Sequence, residues 1–178
     1  MTTKREHSVE TERLLLKDIS QEDLEPLSKL FADPDVMKSS LEGQPFPHEK
    51  SKKILHNMID QRGKYGFSIC AIIHKETGAW MGFCGLYWGE DHEELKTDFA
   101  YRFFKDFWGQ GYATEAVKAC LHHITRQLPD VVINAYIKPN NQPSLRVAEK
   151  AGMTFDKETT FHDIPVRLYQ FKETNDES

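Results

Sequence analysis

The segment Asp106-Phe107-Trp108-Gly109-Gln110-Gly111-Tyr112-Ala113-Thr114-Glu115-Ala116 sets two glycines between two strongly patterned stretches. On its N-terminal side, residues 97–104 alternate. Phe99, Tyr101 and Phe103 point one way and Asp98, Ala100 and Arg102 the other, the pattern of a strand. On its C-terminal side, Ala113, Ala116, Val117, Cys120, Leu121 and Ile124 form one apolar stripe, which predicts a helix over 112–127. A helix N-terminus carries unpaired backbone N–H groups and a partial positive charge. Glycines there allow an anion to approach those groups closely, so the segment reads as a phosphate cradle that needs no lysine. Taken alone, a glycine pair is also compatible with a plain strand-to-helix turn. A P-loop is excluded because no G-K-[ST] follows. A dinucleotide fingerprint would follow the first strand of a parallel unit, whereas this turn follows a meander.

That meander is read from the preceding residues. Residues 67–73 are apolar and β-branched, Lys75-Glu76-Thr77-Gly78 is a hairpin turn, and 80–87 returns. Gly82 and Gly85 mark bulges or close backbone approach. Upstream, 13–18 is a first strand, and Ser20 with Asp23 resembles a capping box. Leu24, Leu27, Leu30 and Phe31 then recur at helical spacing up to Asp33-Pro34-Asp35. A second helix carries Ile54, Leu55, Met58 and Ile59 on one face, with Gly63 as its expected stop. Downstream of the glycine turn, 131–137 is a strand and 143–150 a short helix ended by Gly152. Residues 153–155 and 166–171 are the last strands. Strand, helix, strand predicts a parallel crossover. The expected fold is therefore α/β (α+β). It is a mixed, mostly antiparallel sheet of six to seven strands, parallel near the middle, with about four helices on both faces.

Length and composition narrow the functional classes. The 178 residues fit one domain, with an ordered core of about 9–172 and frayed ends. No apolar stretch approaches a membrane span and the N-terminus lacks the apolar core of a signal peptide, so a cytoplasmic protein without a membrane partner is expected. A net charge of −5 argues against nucleic acid as partner and is compatible with a cationic amine. Cys70, Cys84 and Cys120 lie in apolar runs and read as buried, reduced thiols. No cysteine or histidine spacing predicts a metal site.

At this point three stretches carry a resemblance. The turn resembles the acyl-CoA pyrophosphate loop, Q/R-x-x-G-x-G/A, of the GCN5-related N-acetyltransferase (GNAT) superfamily. Trp108 stands where most members have Gln or Arg. That departure is typical of the ribosomal-protein N-acetyltransferase (RimJ/RimL-like) branch, whose form Y/F-W-G-x-G-Y/F-A-T/S-E-A is matched from Phe107 through Ala116. Thr11-Glu12-Arg13-Leu14-Leu15-Leu16 resembles the branch's T-E-R-L-x-L. Asn141-Gln142-Pro143-Ser144-Leu145-Arg146-Val147-Ala148-Glu149-Lys150-Ala151-Gly152-Met153 resembles N-x-x-S-x-x-V-x-E-K-x-G-F, with Met for the final Phe. The three matches occur in order and span most of the chain.

The resemblance implies acetyl-CoA as cofactor and an amine as acetyl acceptor, on a small molecule or a peptide. It implies a sheet splayed beside the third strand of the meander. The turn residues Gly109, Gln110, Gly111, Tyr112, Ala113 and Thr114 are expected at the pyrophosphate, and Phe103, Phe104 and Lys105 along the pantetheine, with Lys105 either near the phosphates or simply solvated. Asn141 is expected at the pantetheine or thioester and Ser144 near the sulfur; both also suit helix capping before Pro143. Asp98 occupies the position of Glu in the branch's E-L-G-Y-W and is the candidate base, directly or through water. Alternatively, it orients the amine or pairs with an arginine. The tyrosine that many members place on the last helix as general acid is missing from Ala148-Glu149-Lys150, leaving Ser144 or water to protonate the thiolate. Trp80, Tyr87, Trp88 and Tyr169 are read as core aromatics or acceptor-pocket walls, and Glu90, His92 and Glu93 as a bordering loop or a solvated run. A non-catalytic acyl-CoA sensor on the same fold is the competing reading. A monomer and a homodimer are both compatible.

Overall fold

The computed structural model describes residues 8–89 and 96–173. In chain order the elements are β1 (Ser8–Glu10), β2 (Leu14–Asp18), α1 (Leu24–Ala32), α2 (Pro34–Met37), α3 (His48–Tyr65), β3 (Ile69–His74), β4 (Trp80–Gly89), β5 (Lys96–Phe103), α4 (Tyr112–Gln127), β6 (Ile133–Ile137), α5 (Gln142–Lys150), β7 (Thr154–Phe161) and β8 (Ile164–Phe171). They form a five-stranded sheet in spatial order β1-β2-β3-β4-β5 and a three-stranded sheet in order β6-β8-β7.

The expected splay is present and goes further than a local widening. One mixed sheet with a parallel middle was expected, but every ladder among the described residues is antiparallel, and β5 and β6 share none. They are tied only at one end. Thr97 Oγ1 donates to Val132 O at 2.8 Å and accepts from Asn134 N at 3.2 Å. Beyond that tie the strands part, and the N-terminus of α5 reaches the gap, where Tyr101 OH donates to Ser144 O at 2.7 Å.

Each face of the first sheet carries its own core. Phe99 and Phe103 join Val117, Cys120, Leu121 and Ile124 of α4 and Leu145 and Ala148 of α5. On the other face, Ile69, Ala71 and Phe83 pack against Leu27, Leu30 and Phe31 of α1 and Leu55 and Met58 of α3. Full burial of each large aliphatic or aromatic side chain contributes roughly 1.5–3 kcal/mol. The alternation in β5 therefore distributes its side chains between two cores. Gly82 is glycine because a Cβ there would overlap the Arg102 carbonyl.

Three local expectations are corrected. The helix expected to stop at Gly63 continues to Tyr65, and Gly66, at φ 83°, ends it by donating to Arg62 O at 2.9 Å. Helical glycine costs only about 1 kcal/mol, and a Cβ at Gly63 would meet nothing, so no contact requires a break there. An eighth strand, β1, one more than the six to seven expected, pairs with β2 through Val9 opposite Leu16, at the start of the expected ordered core. The last hairpin is longer than expected and turns through His162 (φ 48°) and Asp163 (φ 66°), without the glycine that marks such turns.

Candidate active site

Beside the open edge of β5 lies a cleft of about 490 Å³. Its walls are the end of β5, the turn before α4 and the first turns of α5. Of the residues expected at the cofactor, Phe103, Gly109, Gly111, Tyr112, Ala113, Thr114, Asn141 and Ser144 all line it. Gly109 and Gly111 have φ of 73° and 81°, the left-handed region that favours glycine. The first intrahelical bond is Glu115 N to Gly111 O at 3.1 Å. The N–H groups of Gly111, Tyr112, Ala113 and Thr114 therefore precede the helical ladder, at the positive end of a 16-residue helix.

A clasp holds this turn from behind. Glu115 Oε2 accepts from Thr11 Oγ1 at 2.6 Å and from Arg13 N at 3.1 Å, and Oε1 accepts from Arg13 Nε at 2.8 Å. Arg13 Nη1 donates to Gln110 O at 3.1 Å, and the guanidinium lies 4.1 Å from the centre of the Tyr112 ring. Burial works against the Glu115 charge, but the bonds from Thr11 and Arg13 outweigh it and hold its pKa below the ordinary carboxylate value. The opening-strand motif and the glycine-turn motif, two separate matches in sequence, are thus halves of one contact.

Trp108 explains how the turn is latched to the strand. Its indole Nε1 donates to Phe103 O at 2.9 Å, while the ring remains 47% exposed along the cleft. Phe104 N donates back to Met81 O of β4, so the period of two turns the backbone groups of Tyr101 and Phe103 toward the open edge. Phe104 itself leaves the cleft, with its ring 5.9 Å from that of Trp80. Lys105 is also outside it, in an exposed ion pair with Asp35 at 3.0 Å. Gln110 does not line the cleft either; its side chain caps back onto Asp106 O at 2.9 Å.

At the start of α5, Asn141 Oδ1 accepts from Ser144 N at 3.4 Å, so it caps the helix while lining the cleft. The backbone N–H and C=O of Ser144 are both engaged, the latter by Tyr101. Burial pushes the Tyr101 phenol well above its ordinary pKa, against the smaller opposing effect of the Ser144 bond. Tyr101 lines the cleft and was not singled out in the sequence, although its place in the β5 alternation is the signal that puts it there.

The opposite face of β5 presents Asp98 and Arg102. Asp98 is partly buried, and its pKa is raised to about 7 by burial and by repulsion from Glu42, with Arg102 pulling the other way. The ion pairs among the described residues include neither group, so the Asp98–arginine pairing considered in the sequence exists only as longer-range attraction. Arg102 reaches the cleft lining; Asp98, four residues earlier, lies on the same face beyond it. Tyr87 opposes Asp98 across the β4–β5 ladder and is partly exposed, but it does not line the cleft and borders a separate pocket with Gln61, Tyr65 and Trp88. The other three aromatics have structural roles. Trp80 Nε1 donates to Asp23 Oδ1, Trp88 Nε1 to Phe67 O, and Tyr169 OH to Glu149 Oε1. Glu90, His92 and Glu93 lie outside the described residues. Among the described residues no cluster of His, Cys, Asp or Glu is arranged to hold a metal, all three cysteines are buried and unbridged, and no helix is long and apolar enough to cross a membrane.

This arrangement, an open helix N-terminus beside a parted strand pair with a carboxylate on the far face, is that of an acyl-transferring enzyme. The chain belongs to the GNAT acetyltransferase domain family, whose model matches residues 13–154, and it is an N-acetyltransferase. It is 32% identical to the uncharacterized protein YkkB of Bacillus subtilis (strain 168), over 93% of this chain and 95% of that one. It is 30% identical to the uncharacterized N-acetyltransferase p20 of Bacillus licheniformis, over 86% and 84%. Its fold is similar to that of RimL, a ribosomal L7/L12 alpha-N-protein acetyltransferase solved with coenzyme A, at a TM-score of 0.76 and 14% identity, covering 93% of this chain and 98% of that one.

Proposed function

We propose that the protein transfers the acetyl group of acetyl-CoA to a primary amine on a small molecule or peptide, as a RimJ/RimL-like member of its family. The observation that carries this reading is the run of ladder-free N–H groups, opened by two left-handed glycines, on the wall of the cleft. The residues present fit the cofactor. The glycine turn offers a pyrophosphate site without needing a cation, and the outward backbone groups of Tyr101 and the Phe103 N–H offer pairing to an extended amide chain, beside the Phe103 carbonyl held by Trp108. Acetyl-CoA would supply a thioester-activated acetyl group.

The chain's own residues do the rest. An alkyl ammonium must lose a proton before it attacks a carbonyl. Asp98, raised to about 7, is the base that takes this proton, directly or through water. Ser144 is the hydroxyl-bearing residue at the start of α5 assigned to the leaving sulfur. Tyr101 holds α5 to β5 and keeps its own proton. The enzymatic reading is preferred to a passive acyl-CoA sensor because the family model and a relative 30% identical are both of acetyltransferases.

Two measurements test this. Acetyl-CoA should raise the unfolding temperature in a concentration-dependent way. A panel of primary amines, followed by thiol release, should then identify turnover. No stabilisation at millimolar acetyl-CoA would remove the donor assignment. Stabilisation with no turnover across the panel would favour the sensor.

A further inference from the structure

Arg102 is an arginine out of place. It stands on β5 between two aromatic side chains, with its guanidinium carbon 5.9 Å from the Phe31 ring centre and 6.0 Å from that of Phe83. Both distances lie at the outer limit of useful cation–π attraction. Its one side-chain hydrogen bond among the described residues runs from Nη1 to Met37 Sδ at 3.1 Å, and a thioether is a weak acceptor for a group with five donors. Burial lowers its pKa, while Glu42 and Asp98 attract it from beyond ion-pair range. Guanidinium stays charged regardless, so a partly buried charge is held with two carboxylates near it but no direct ion pair among the described residues.

The cleft gives it access to one. Arg102 lines the opening together with Val36 of α2 and Ser39 just beyond it, on the side away from the α4 turn. Asp98 shares its face of the strand, four residues or about 13 Å earlier along the backbone. We propose that Arg102 binds an oxyanion, a carboxylate or a phosphate, on the acetyl acceptor, so that the substrate carries an amine and an anionic group on one small molecule. The proposal rests on the acetyl-transfer reading. It narrows the acceptor class from any amine to zwitterionic ones, and it disfavours polyamines. Arg102 suits the task because planar bidentate pairing with an oxyanion fits guanidinium better than ammonium.

Product analogues test the proposal whichever amine the enzyme acetylates. N-acetyl-ω-amino acids of increasing chain length, each paired with its primary amide, are titrated calorimetrically into wild type and Arg102→Gln at saturating CoA. N-acetyl-O-phosphoethanolamine forms a phosphate arm. In wild type at least one anion should bind about tenfold or more tightly than its neutral partner, the scale of a charge-assisted hydrogen bond. Arg102→Gln should bring that ratio to about one without changing CoA affinity, and Arg102→Lys should restore part of it. The arm showing the preference identifies carboxylate or phosphate. The proposal is overturned if no anion outbinds its neutral partner in wild type, or if the preference survives in Arg102→Gln. Should that variant not fold, the wild-type comparison decides alone. Failure of CoA itself to bind is a separate result, which removes the donor reading.

Discussion

The two sides of the cleft are built from different materials. The donor side is backbone: N–H groups of Gly111–Thr114 at a helix end, shaped by two glycines, with side chains such as Arg13 and Glu115 acting only as buttresses behind them. The side proposed for the acceptor is side chain: Arg102 on the cleft wall, with Asp98 and Tyr87 farther along the same sheet face. A backbone site constrains sequence tightly, because only certain residues permit its dihedral angles and its close approach. A side-chain site constrains sequence loosely, because a shifted helix or a different residue on a neighbouring strand redefines it. Four substitutions, ordered from the largest expected effect to the smallest, test that division.

Asp98→Asn should have the largest effect, lowering kcat/KM by about 10²- to 10⁴-fold while leaving CoA affinity unchanged. Wild-type kcat/KM should rise as pH rises through about 7, as Asp98 ionises, and the variant should lose that limb. Stability gives a second readout. A carboxylate whose folded pKa lies above its unfolded one favours folding most when protonated, and that contribution fades as pH climbs from the ordinary aspartate range through about 7. The variant should therefore gain in Tm relative to wild type as pH rises from about 4 through about 7, the span of the shift. An unchanged kcat/KM profile would remove Asp98 as the base.

Gly111→Asp strikes the other side. A left-handed L-residue costs roughly 1–2 kcal/mol, and the new side chain, whose Cβ would stand 3.5 Å from Arg13 Nη2, would compete for the guanidinium of the clasp and add negative charge beside the phosphate site. CoA affinity should fall by about 100-fold or more, the product of those two effects. Gly66→Asp is the matched control: its φ of 83° is nearly the same, but it ends α3 away from the cleft. It should lower Tm and leave CoA affinity alone. Equal losses of affinity in both variants would mean that general destabilisation, not the cradle, is being measured.

Glu115→Gln should weaken CoA binding by about tenfold or less, because it loosens the clasp without touching the cradle; the charged bonds to Thr11 and Arg13 are each worth about 1.5–3 kcal/mol at most and are partly exposed here. The depressed Glu115 pKa means that its contribution is present at neutral pH and is lost as pH falls below the ordinary glutamate range. Isothermal titration at pH 7.5, about neutral, should separate it from wild type; a variant indistinguishable there would reduce the clasp to a local fastening.

What was legible in the sequence follows the same division. The glycine turn, the α4 stripe and the β5 alternation rest on local dihedral and periodic constraints, and the structure places all three as read. The splay was anticipated only through resemblance, because it arises from Thr97 and Tyr101 reaching partners far along the chain. The hairpin turn at His162 and Asp163 carried no glycine, so its left-handed dihedrals had no local sign. Gly63 looked like a stop and Gly66 was one, since helix ends depend on what packs beyond them. Lys105 and Arg102 show the limit most clearly. One cation, left open between the phosphates and solvent, is paired with Asp35 at the surface, and the other, assigned no role, borders the cleft. The fate of a long charged side chain is settled by tertiary neighbours that periodicity does not report.

Tyr101→Phe should have the smallest effect and lies on the boundary between the two sides. The phenol spans the opening where the strands part, and its loss leaves the Ser144 carbonyl without that donor at a cost of about 1 kcal/mol. That carbonyl belongs to the first turn of α5, the segment that also carries Asn141 and the Ser144 hydroxyl. If the bond only fastens α5, Tm should fall slightly and kcat/KM should follow any change in CoA affinity. If it also sets where Ser144 stands relative to the acceptor face, kcat should fall by about three- to tenfold at saturating CoA with little change in affinity. The second outcome is expected, because Tyr101 sits on the strand that carries Asp98 and Arg102. A helix held by that strand inherits its position from the acceptor side, although the residues it presents serve the donor.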